Sequence, residues 1–364
     1  MKILLMPNSL KGSLSASGFC KKAAATLKNN AQSSPVSDGG DGILDVFNAA
    51  YPDSKIYYTS AINAIRKKKM APYLILPDKK TCIIETAKIC GLGELHKNEL
   101  DPLGATSYGI GQVINAAIKH GAKQFYIGLG GVGCNDCGAG MAAALGWELK
   151  DKNGKQIPLG AEGLLKLKDI TNPPEILRGI KFTGLSDVTN PLLGPRGSAA
   201  VYGPQKGANP TQIKILEAAM RNCAKTVKKS LKRNINEPRC GAAGAISAGM
   251  KGFLNAQLKD GADFILKEIK AETKIKNCDI IITAEGKLDK QTFYGKAPLA
   301  VCKLAKKYKK PVIFICGINE IHNSVLLKKY GIAKVAELAE FAGSKEKSFK
   351  NPLKYISAAI KASL

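Results

Sequence analysis

Short apolar runs alternate along the chain with longer stretches whose apolar residues recur every three or four positions. The short runs predict strands at 3–6, 124–128, 279–284 and 311–316. The stretch after the first run predicts a helix over 13–28, with Ser13 as its N-cap. Strands that alternate with helices in this way indicate an α/β fold with a largely parallel sheet.

Three β-rich segments interrupt this alternation. They lie at 56–59, 73–76 and 81–85, too close together for crossover helices, and therefore predict hairpins. We expect a Rossmann/flavodoxin-like parallel-sheet domain with a second α/β domain containing hairpins inserted into it. The predicted boundaries are 1–55 plus 279–364 for the first domain and 56–278 for the inserted one. The helical stretch at 210–275 could pack on either domain.

The composition indicates a folded protein with a strongly basic surface. Of 364 residues, 45% are hydrophobic, which is enough for a sizeable core and excludes global disorder. The chain carries 55 lysine and arginine residues against 29 acidic ones, a net charge of +26. Nearly all of this excess is lysine spread along the chain, whereas nucleic-acid recognition favours arginine forks. We expect a solvated surface that attracts small anionic substrates, and no nucleic-acid partner.

The sequence carries no recognisable membrane or secretory signal. No uncharged run reaches the ~20 apolar residues of a membrane helix, and the apolar run near Met1 is too short for a signal peptide. Ten cysteines in a chain of this size do not make a disulfide scaffold, and most stand in apolar segments typical of buried thiols. We expect a cytoplasmic protein with no membrane partner.

The loop after the first predicted strand is the first candidate for chemistry, because ligands in open α/β sheets bind beyond the carboxyl ends of strands. Ser9, Lys11 and Ser13 place two hydroxyls and an ammonium just before a helix. Together with backbone N–H groups they would bind a phosphate or a carboxylate. The alternative is a helix cap beside a surface lysine.

Two further loops combine carboxylates with glycines or hydroxyls. Asp38 and Asp41 lie among the glycines of 37–42, where they suit Mg²⁺ or the hydroxyls of a substrate. Asp41 could instead be a helix N-cap. Glu285, Asp289 and Thr292 follow the strand at 279–284 and are dense enough to suggest a ligand site, although a solvated loop has a similar composition.

The glycine-rich segment 128–140 admits several interpretations. Its Gly-x-Gly-x-x-Gly opening, with Glu148 at a suitable distance, matches the dinucleotide fingerprint. Asn135 and Asp136 stand where the helix of that fingerprint should already have begun. A phosphate cradle that includes Gly130 and Gly131, with Asp136 near a metal, is the favoured interpretation.

Cys134 and Cys137 in the same segment form a Cys-x-x-Cys pair. A zinc site would need a second ligand pair at suitable spacing, and none is evident. A redox dithiol remains an alternative.

Asp187 follows a predicted strand that ends at Leu185, with Asn190 and Lys206 a short distance along the chain. A carboxylate in that position could bind and activate a hydroxyl, although Asn190 before a proline also fits a structural turn. The three histidines are scattered, and neither a P-loop nor the protein-kinase motif set is present. Acids, lysines and glycine loops without histidine suit phosphoryl transfer.

These loops, in this order, resemble the bacterial type I glycerate kinase family over essentially the whole chain. The shared motifs are 7–11, 37–42, 85–87, 130–140, 187–192, 203–208, 241–244 and 285–292, with Gly295 and Lys296. The resemblance implies two α/β domains with the site in a cleft, and a kinase that uses ATP and Mg²⁺ to phosphorylate D-glycerate, most often at its 2-hydroxyl. The chain departs from the usual family residues at Asn8, Leu10, Val132 and Cys134, which replace Asp, Phe and two hydroxyl donors.

We therefore predict an ATP-dependent glycerate kinase that forms 2-phosphoglycerate, as a monomer or a homodimer. The alternatives are a kinase that forms 3-phosphoglycerate, a nicotinamide-dependent oxidoreductase and a catalytically weak ligand-binding relative. The predicted catalytic residues are Asp187, Lys11 and Asp38, and the predicted substrate-binding residues are Ser9, Lys11, Ser13, Asp38 and Asn190. The predicted cofactor-binding residues are Gly130, Gly131, Asn135, Asp136, Lys206, Glu285, Asp289 and Thr292. Glu285, Asp289 and Asp136 are alternatives for holding Mg²⁺.

Overall fold

The computed structural model describes residues 1–171 and 174–364. The strands are β1 (Ile3–Leu5), β2 (Ala31–Ser33), β3 (Lys55–Ile62), β4 (Lys68–Ile75), β5 (Thr81–Glu85), β6 (Gln124–Gly128), β7 (Glu148–Lys150), β8 (Asp169–Thr171), β9 (Lys181–Ser186), β10 (Gln257–Asp260), β11 (Ile280–Leu288), β12 (Val312–Asn319) and β13 (Ile332–Glu337).

The α-helices are α1 (Ala16–Thr26), α2 (Ile43–Ala50), α3 (Ala87–Cys90), α4 (Tyr108–Lys119), α5 (Ala139–Ala144), α6 (Ala161–Lys166), α7 (Ser198–Tyr202), α8 (Pro210–Leu231), α9 (Ile246–Leu254), α10 (Gly261–Glu268), α11 (Ala271–Lys276), α12 (Ala297–Lys307), α13 (Ser324–Lys329), α14 (Leu338–Ala342), α15 (Lys345–Lys350) and α16 (Pro352–Ser363). Short 3₁₀ turns lie at Leu92–Glu94, Lys97–Glu99, Glu175–Leu177, Pro204–Lys206 and Lys290–Tyr294. The chain divides into a first unit of residues 1–38, 45–52 and 261–364 and a second unit of residues 39–44 and 53–260.

The first unit is built on an all-parallel sheet with the strand order β13-β12-β11-β1-β2. Its central strands are continuous apolar runs, as expected for a parallel sheet covered on both faces. On one side, Leu5, Ile282 and Ile313 share a buried core with Phe19 of α1 and Ile356 of α16. Each such fully buried side chain contributes about 1.5–3 kcal/mol to folding.

The second unit contains a mixed sheet with the order β10-β9-β6-β5-β4-β3. Strands β5, β6, β9 and β10 run parallel, while β3 and β4 form antiparallel hairpin pairs at one edge. Its core includes Tyr73, Phe125, Ile114, Trp147 and Phe253. The predicted α/β class and the hairpins are therefore confirmed.

Two details differ from the sequence expectations. Helix α1 is capped by Ser15, whose Oγ accepts from the Gly18 N–H at 3.0 Å, and not by Ser13. Strand β10 lies inside a stretch that was expected to be helical, where it pairs with β9. The helical stretch at 210–275, which could have packed on either domain, is divided: residues 261–278 fall in the first unit, where α10 and α11 pack against α12.

All ten cysteines are buried thiols, as their apolar surroundings predicted. Among the described residues, no helix combines the length and apolar character that a membrane crossing requires.

Candidate active site

Asp38 is fixed at the carboxyl end of β1 in the first unit. The side-chain amide of Asn8, the third residue after β1, donates to Oδ2 of Asp38 at 2.9 Å. The other oxygen of Asp38 accepts from the backbone N–H of Ala297, the first residue of α12. An amide can donate this hydrogen bond whereas an ionised carboxylate cannot, so Asn8 suits its position beside Asp38.

Glu285 lies next to this pair, near the carboxyl end of β11, and only 7% of it is exposed. The Lys296 ammonium donates to Oε1 of Glu285, and the Thr292 hydroxyl donates to Oε2 at 3.2 Å. Burial raises the pKa of Glu285 to about 7, although Lys296 pulls it down. We call Asn8, Asp38, Glu285, Thr292 and Lys296 the Glu285 cluster.

Asp289 borders the Glu285 cluster and caps the turn at Lys290–Tyr294. Its Oδ1 accepts from the Thr292 N–H at 3.1 Å, and its Oδ2 lies 3.8 Å from the Lys287 ammonium. Lys11 is exposed, and its backbone lies against Gly286, where an added Cβ would come 3.2 Å from the Lys11 nitrogen. The loop that carries Lys11 is therefore held beside the end of β11.

Ser9 and Ser13 lie in that same loop, but they are positioned differently. Ser9 is half-buried, and its N–H donates to the Asn8 side chain at 2.8 Å. The Ser13 hydroxyl donates to the carbonyl of Phe349. This bond uses the hydrogen that Ser13 was expected to offer to a substrate.

The acidic side chains of the first unit fit a magnesium ion that is shared with phosphates. No three histidine, cysteine, aspartate or glutamate side chains within 1–171 and 174–364 form a ready-made metal site. Mg²⁺ commonly takes only one or two protein carboxylates and completes its shell with phosphates and water. The first unit supplies such carboxylates at Asp38, Glu285 and Asp289. The negative charge of Asp38 contributes to the raised pKa of Glu285, so the two carboxylates interact electrostatically.

In the second unit, the loop Gly39–Leu44 lies across the carboxyl ends of β5 and β6. The Leu129 N–H donates to the Gly39 carbonyl at 3.0 Å, and the Leu44 N–H donates to Glu85 at 3.3 Å. Gly131 has a φ of 62°, and a Cβ there would come 2.7 Å from Oδ1 of Asp41. Asp41 and the buried Glu85 therefore border the start of the glycine-rich segment.

Asp136, which the sequence suggested as a metal or nucleotide ligand, is enclosed by hydrogen-bond donors of the protein itself. Its side chain is wholly buried, and its Oδ2 accepts from Ser107 N at 2.8 Å, Ser107 Oγ at 3.0 Å, Gly140 N at 3.1 Å and Thr106 Oγ1 at 3.2 Å. Its Oδ1 accepts from Gly138 N at 3.2 Å. Burial raises the pKa of Asp136, while these donors oppose that shift. Five hydrogen bonds from protein donors converge on a side chain with no exposed surface, so Asp136 has a structural role here and not the metal or nucleotide role expected from the sequence.

Lys206 and Asn135 also face the protein interior. The Lys206 ammonium is buried and donates to the Cys134 carbonyl at 2.6 Å and to Oδ1 of Asn135 at 3.0 Å. The Asn135 amide donates in turn to the Pro102 carbonyl at 3.2 Å. Burial lowers the pKa of Lys206 to about 8. These two side chains bond to the glycine-rich segment and to the Pro102 carbonyl, so protein partners occupy the groups that were expected to contact a nucleotide.

The thiols of Cys134 and Cys137 each contact a different cysteine. Cys134 lies against the Cys90 thiol and Cys137 against the Cys223 thiol, and these contacts together with burial raise the pKa of both groups. A buried thiol with a raised pKa is a poor nucleophile and a poor metal ligand. The geometry gives no support to a redox dithiol.

Asp187 directly follows β9 in the second unit and is half-exposed. Burial, with a smaller contribution from the charge of Asp187, raises the pKa of Tyr202 to about 12. The Tyr202 hydroxyl donates to Oδ1 of Asn190 at 2.8 Å, and the Asn190 amide donates to the Arg196 carbonyl at 2.8 Å. Asn190 thus braces the loop after β9, which favours the structural turn that the sequence offered as the alternative to substrate binding.

Comparison with known proteins identifies the family. The family model described as "Glycerate kinase family" matches residues 3–363. The chain belongs to the glycerate kinase family. It is 36% identical over 358 residues to glycerate 2-kinase of Escherichia coli K12, covering 96% of this chain and 93% of that protein. It is 34% identical to glycerate kinase of Bacillus subtilis 168, covering 98% and 95%.

A solved structure agrees with this assignment. The crystal structure of a protein described as glycerate kinase 2 from Salmonella typhimurium LT2 superposes with a TM-score of 0.82 and 31% identity, covering 100% of this chain and 99% of that one. The predicted resemblance is confirmed, and it places the chain among phosphotransferases with an alcohol group as acceptor.

Membership of the glycerate kinase family also bears on the dinucleotide interpretation of segment 128–140. Helix α5 begins only at Ala139, well after Gly133, whereas the fingerprint needs a helix that opens within its glycines. Glu148 accepts from the Thr171 hydroxyl at 2.8 Å and pairs with Lys150 at 2.7 Å. These partners engage the carboxylate that a dinucleotide site would use to bind a ribose. Neither feature favours a nicotinamide site.

Three residues of these clusters were missing from the predicted site. Lys296 pairs with Glu285, Glu85 lies near Asp41, and Arg239 donates to the carbonyl of Ser186, the residue before Asp187. Lys296 and Glu85 stand within the family motifs. Treating every charged residue of those motifs as a candidate site residue would have included both. Arg239 has no such signal, because only the fold brings it to the end of β9.

Proposed function

We propose that this chain catalyses the ATP-dependent phosphorylation of D-glycerate to 2-phosphoglycerate, in the cytoplasm and with Mg²⁺. The observation that carries the proposal is the Glu285 cluster, in which two carboxylates and an ammonium converge at the carboxyl ends of β1 and β11. Ligand sites of parallel sheets form at this edge. Phosphoryl transfer needs placed charges of both signs and little covalent chemistry.

The first unit supplies the groups that bind anions. The exposed ammonium of Lys11 and the half-buried ammonium of Lys296 attract phosphate or carboxylate oxygens. Asn8 and the N–H of Ala297 hold Asp38 in one orientation, so its carboxylate is positioned before any ligand arrives.

Asp38, Glu285 and Asp289 would hold Mg²⁺, whose chemistry there is to neutralise phosphate charge. Glu285, with a pKa of about 7, is ionised in only part of the molecules at neutral pH, and Lys296 favours that ionised form. Asp136, which protein donors enclose, has no part in this set.

The second unit supplies the group that orients the accepting hydroxyl. Asp187 is held at a strand end, half-exposed, on a loop braced by Asn190 and Tyr202. We assign it the role of accepting the proton of the glycerate 2-hydroxyl. Where the transition state is loose, the accepting hydroxyl needs orientation more than activation.

A coupled assay of ADP release tests the activity. With ATP and Mg²⁺, addition of D-glycerate should start ADP release, whereas 3-hydroxypropanoate, which lacks the 2-hydroxyl, serves as the acceptor control and should not. If ADP release does not depend on glycerate while ATP still raises the melting temperature, the chain is a ligand-binding relative. A fluorescence change of NADH on addition of the protein would favour the oxidoreductase alternative.

A further inference from the structure

The turn between α8 and α9 contains an unusual concentration of left-handed backbone. Arg239 has a φ of 72°, Ala243 of 52° and Ala245 of 65°. Non-glycine residues adopt this conformation at a conformational cost and persist where surrounding contacts hold them. Arg239 carries the longest side chain of the three, and its contacts show which parts of the chain it connects.

The side chain of Arg239 links the ends of two neighbouring parallel strands. Its Nη1 donates to the carbonyl of Ser186 at 2.8 Å, and its Nη2 donates to the carboxylate of Asp260 at 3.1 Å. Ser186 ends β9 and Asp260 ends β10, and the two residues are register partners. The guanidinium therefore spans the strand pair at the point where β9 leads into Asp187.

The backbone of the same turn holds the loop on the other side of Asp187. The Arg239 N–H donates to the Thr189 carbonyl at 3.2 Å, and the Gly241 N–H donates to the Asn190 carbonyl at 2.9 Å. Gly241 permits this approach, because a Cβ there would lie 2.3 Å from the Pro191 carbonyl oxygen. Arg239 thus contacts the chain both before and after Asp187.

We propose that Arg239 is a positioning residue for Asp187, and that the guanidinium and the left-handed backbone at this one position together fix the peptide from Ser186 to Asn190. The proposal rests on the role proposed above for Asp187. Glycine adopts a left-handed backbone with less strain than arginine does. The hydrogen bonds of the Arg239 side chain offset this conformational cost. Lysine cannot replace it, since one ammonium lacks the planar fork that reaches two acceptors.

Three variants separate positioning from folding. Arg239→Gly removes the guanidinium but suits the φ of 72°, so the fold should survive. Arg239→Lys keeps the charge without the fork. Arg221→Lys is the matched control, because Arg221 is an exposed helix residue whose pairing with Glu217 lies within α8.

Amide hydrogen exchange measures the positioning directly and does not depend on turnover. In Arg239→Gly, a peptide spanning 186–191 should exchange at least tenfold faster than in the parent, while Arg221→Lys should match the parent. Unchanged exchange in Arg239→Gly would overturn the proposal.

Steady-state kinetics measure the consequence for the reaction. A displaced catalytic group commonly costs about 10²-fold, so kcat of Arg239→Gly should fall by about that factor while KM for ATP stays within about twofold. Millimolar guanidinium should restore part of the loss, whereas sodium chloride should not. A kcat equal to that of the parent, in a variant with faster exchange, would also overturn the proposal.

The Asp187→Asn variant keeps the two hypotheses distinguishable. If its turnover is normal, the role proposed for Asp187 fails, whatever Arg239 does. If Asp187→Asn is impaired, adding Arg239→Gly should cause little further loss, because both changes disable the same group.

Discussion

The assignment of Asp136 as a structural residue can be tested by removing its charge and one acceptor. Asp136→Asn keeps the shape of the side chain. The new carbonyl oxygen can occupy the place of Oδ2, where four donors converge. The new NH₂ group must then face the Gly138 N–H, which now donates to Oδ1 at 3.2 Å. The substitution therefore creates one buried contact between two donors.

The size of the effect follows from these contacts. Leaving a buried donor without an acceptor costs about 1–3 kcal/mol, and the four remaining hydrogen bonds weaken because they lose their charge. One contribution has the opposite sign. Burial disfavours the charged carboxylate, as the raised pKa of Asp136 shows, and the neutral amide of Asp136→Asn avoids that cost. We expect the free energy of unfolding to fall by about 1–3 kcal/mol in total.

Urea unfolding followed by tryptophan fluorescence is a suitable assay. Trp147 is the only tryptophan of the sequence, is 4% exposed, and belongs to the same unit as Asp136. The exposed Asp53→Asn is the control and should leave the urea midpoint unchanged. KM for ATP should stay unaltered in Asp136→Asn. An unchanged midpoint together with a raised KM for ATP or a raised Mg²⁺ requirement would refute the structural assignment.

Three further predictions concern the site. Asp187→Asn should keep the melting temperature and lower kcat by ~10² or more, and near-normal turnover would remove its role as base. Because burial raises the pKa of Glu285 from 4.5 in the unfolded chain to about 7, its ionisation opposes folding, so the parent should lose stability relative to Glu285→Gln between pH 5 and pH 8. Melting curves at the two pH values check this, and a relative gain by the parent would contradict it. Because Cys134 and Cys137 are buried with raised pKa values, diamide should leave kcat unchanged; a loss that dithiothreitol reverses would restore the redox interpretation.

The fold class could be predicted because parallel and hairpin strands leave different patterns in the sequence. Segments β3, β4 and β5 follow one another without room for a helix, while β11 and β12 are separated by one. Strand β10 escaped prediction because its four residues alternate in exposure and stand between helices. Its pairing with β9 comes from tertiary contacts that no local pattern encodes.

The candidate site was predicted less completely than the fold. Sequence position shows which residues follow a strand, and Glu285 and Asp187 were proposed on that basis, whereas Asp38 was proposed as a carboxylate among glycines. It does not tell whether a polar side chain there faces a ligand or the protein. Asp136, Asn135 and Lys206 follow strands or glycine loops as expected, yet each is buried among protein partners.

Phosphorus NMR of the reaction product tests the central claim most directly. The protein is incubated with ATP, Mg²⁺ and D-glycerate, and the spectrum is recorded with proton coupling. A phosphate on the 2-oxygen couples to one proton and one on the 3-oxygen to two. We predict a new doublet, accumulating in step with ADP, as 2-phosphoglycerate forms. A triplet would assign the 3-hydroxyl instead, and free inorganic phosphate as the sole new signal would contradict a glycerate kinase.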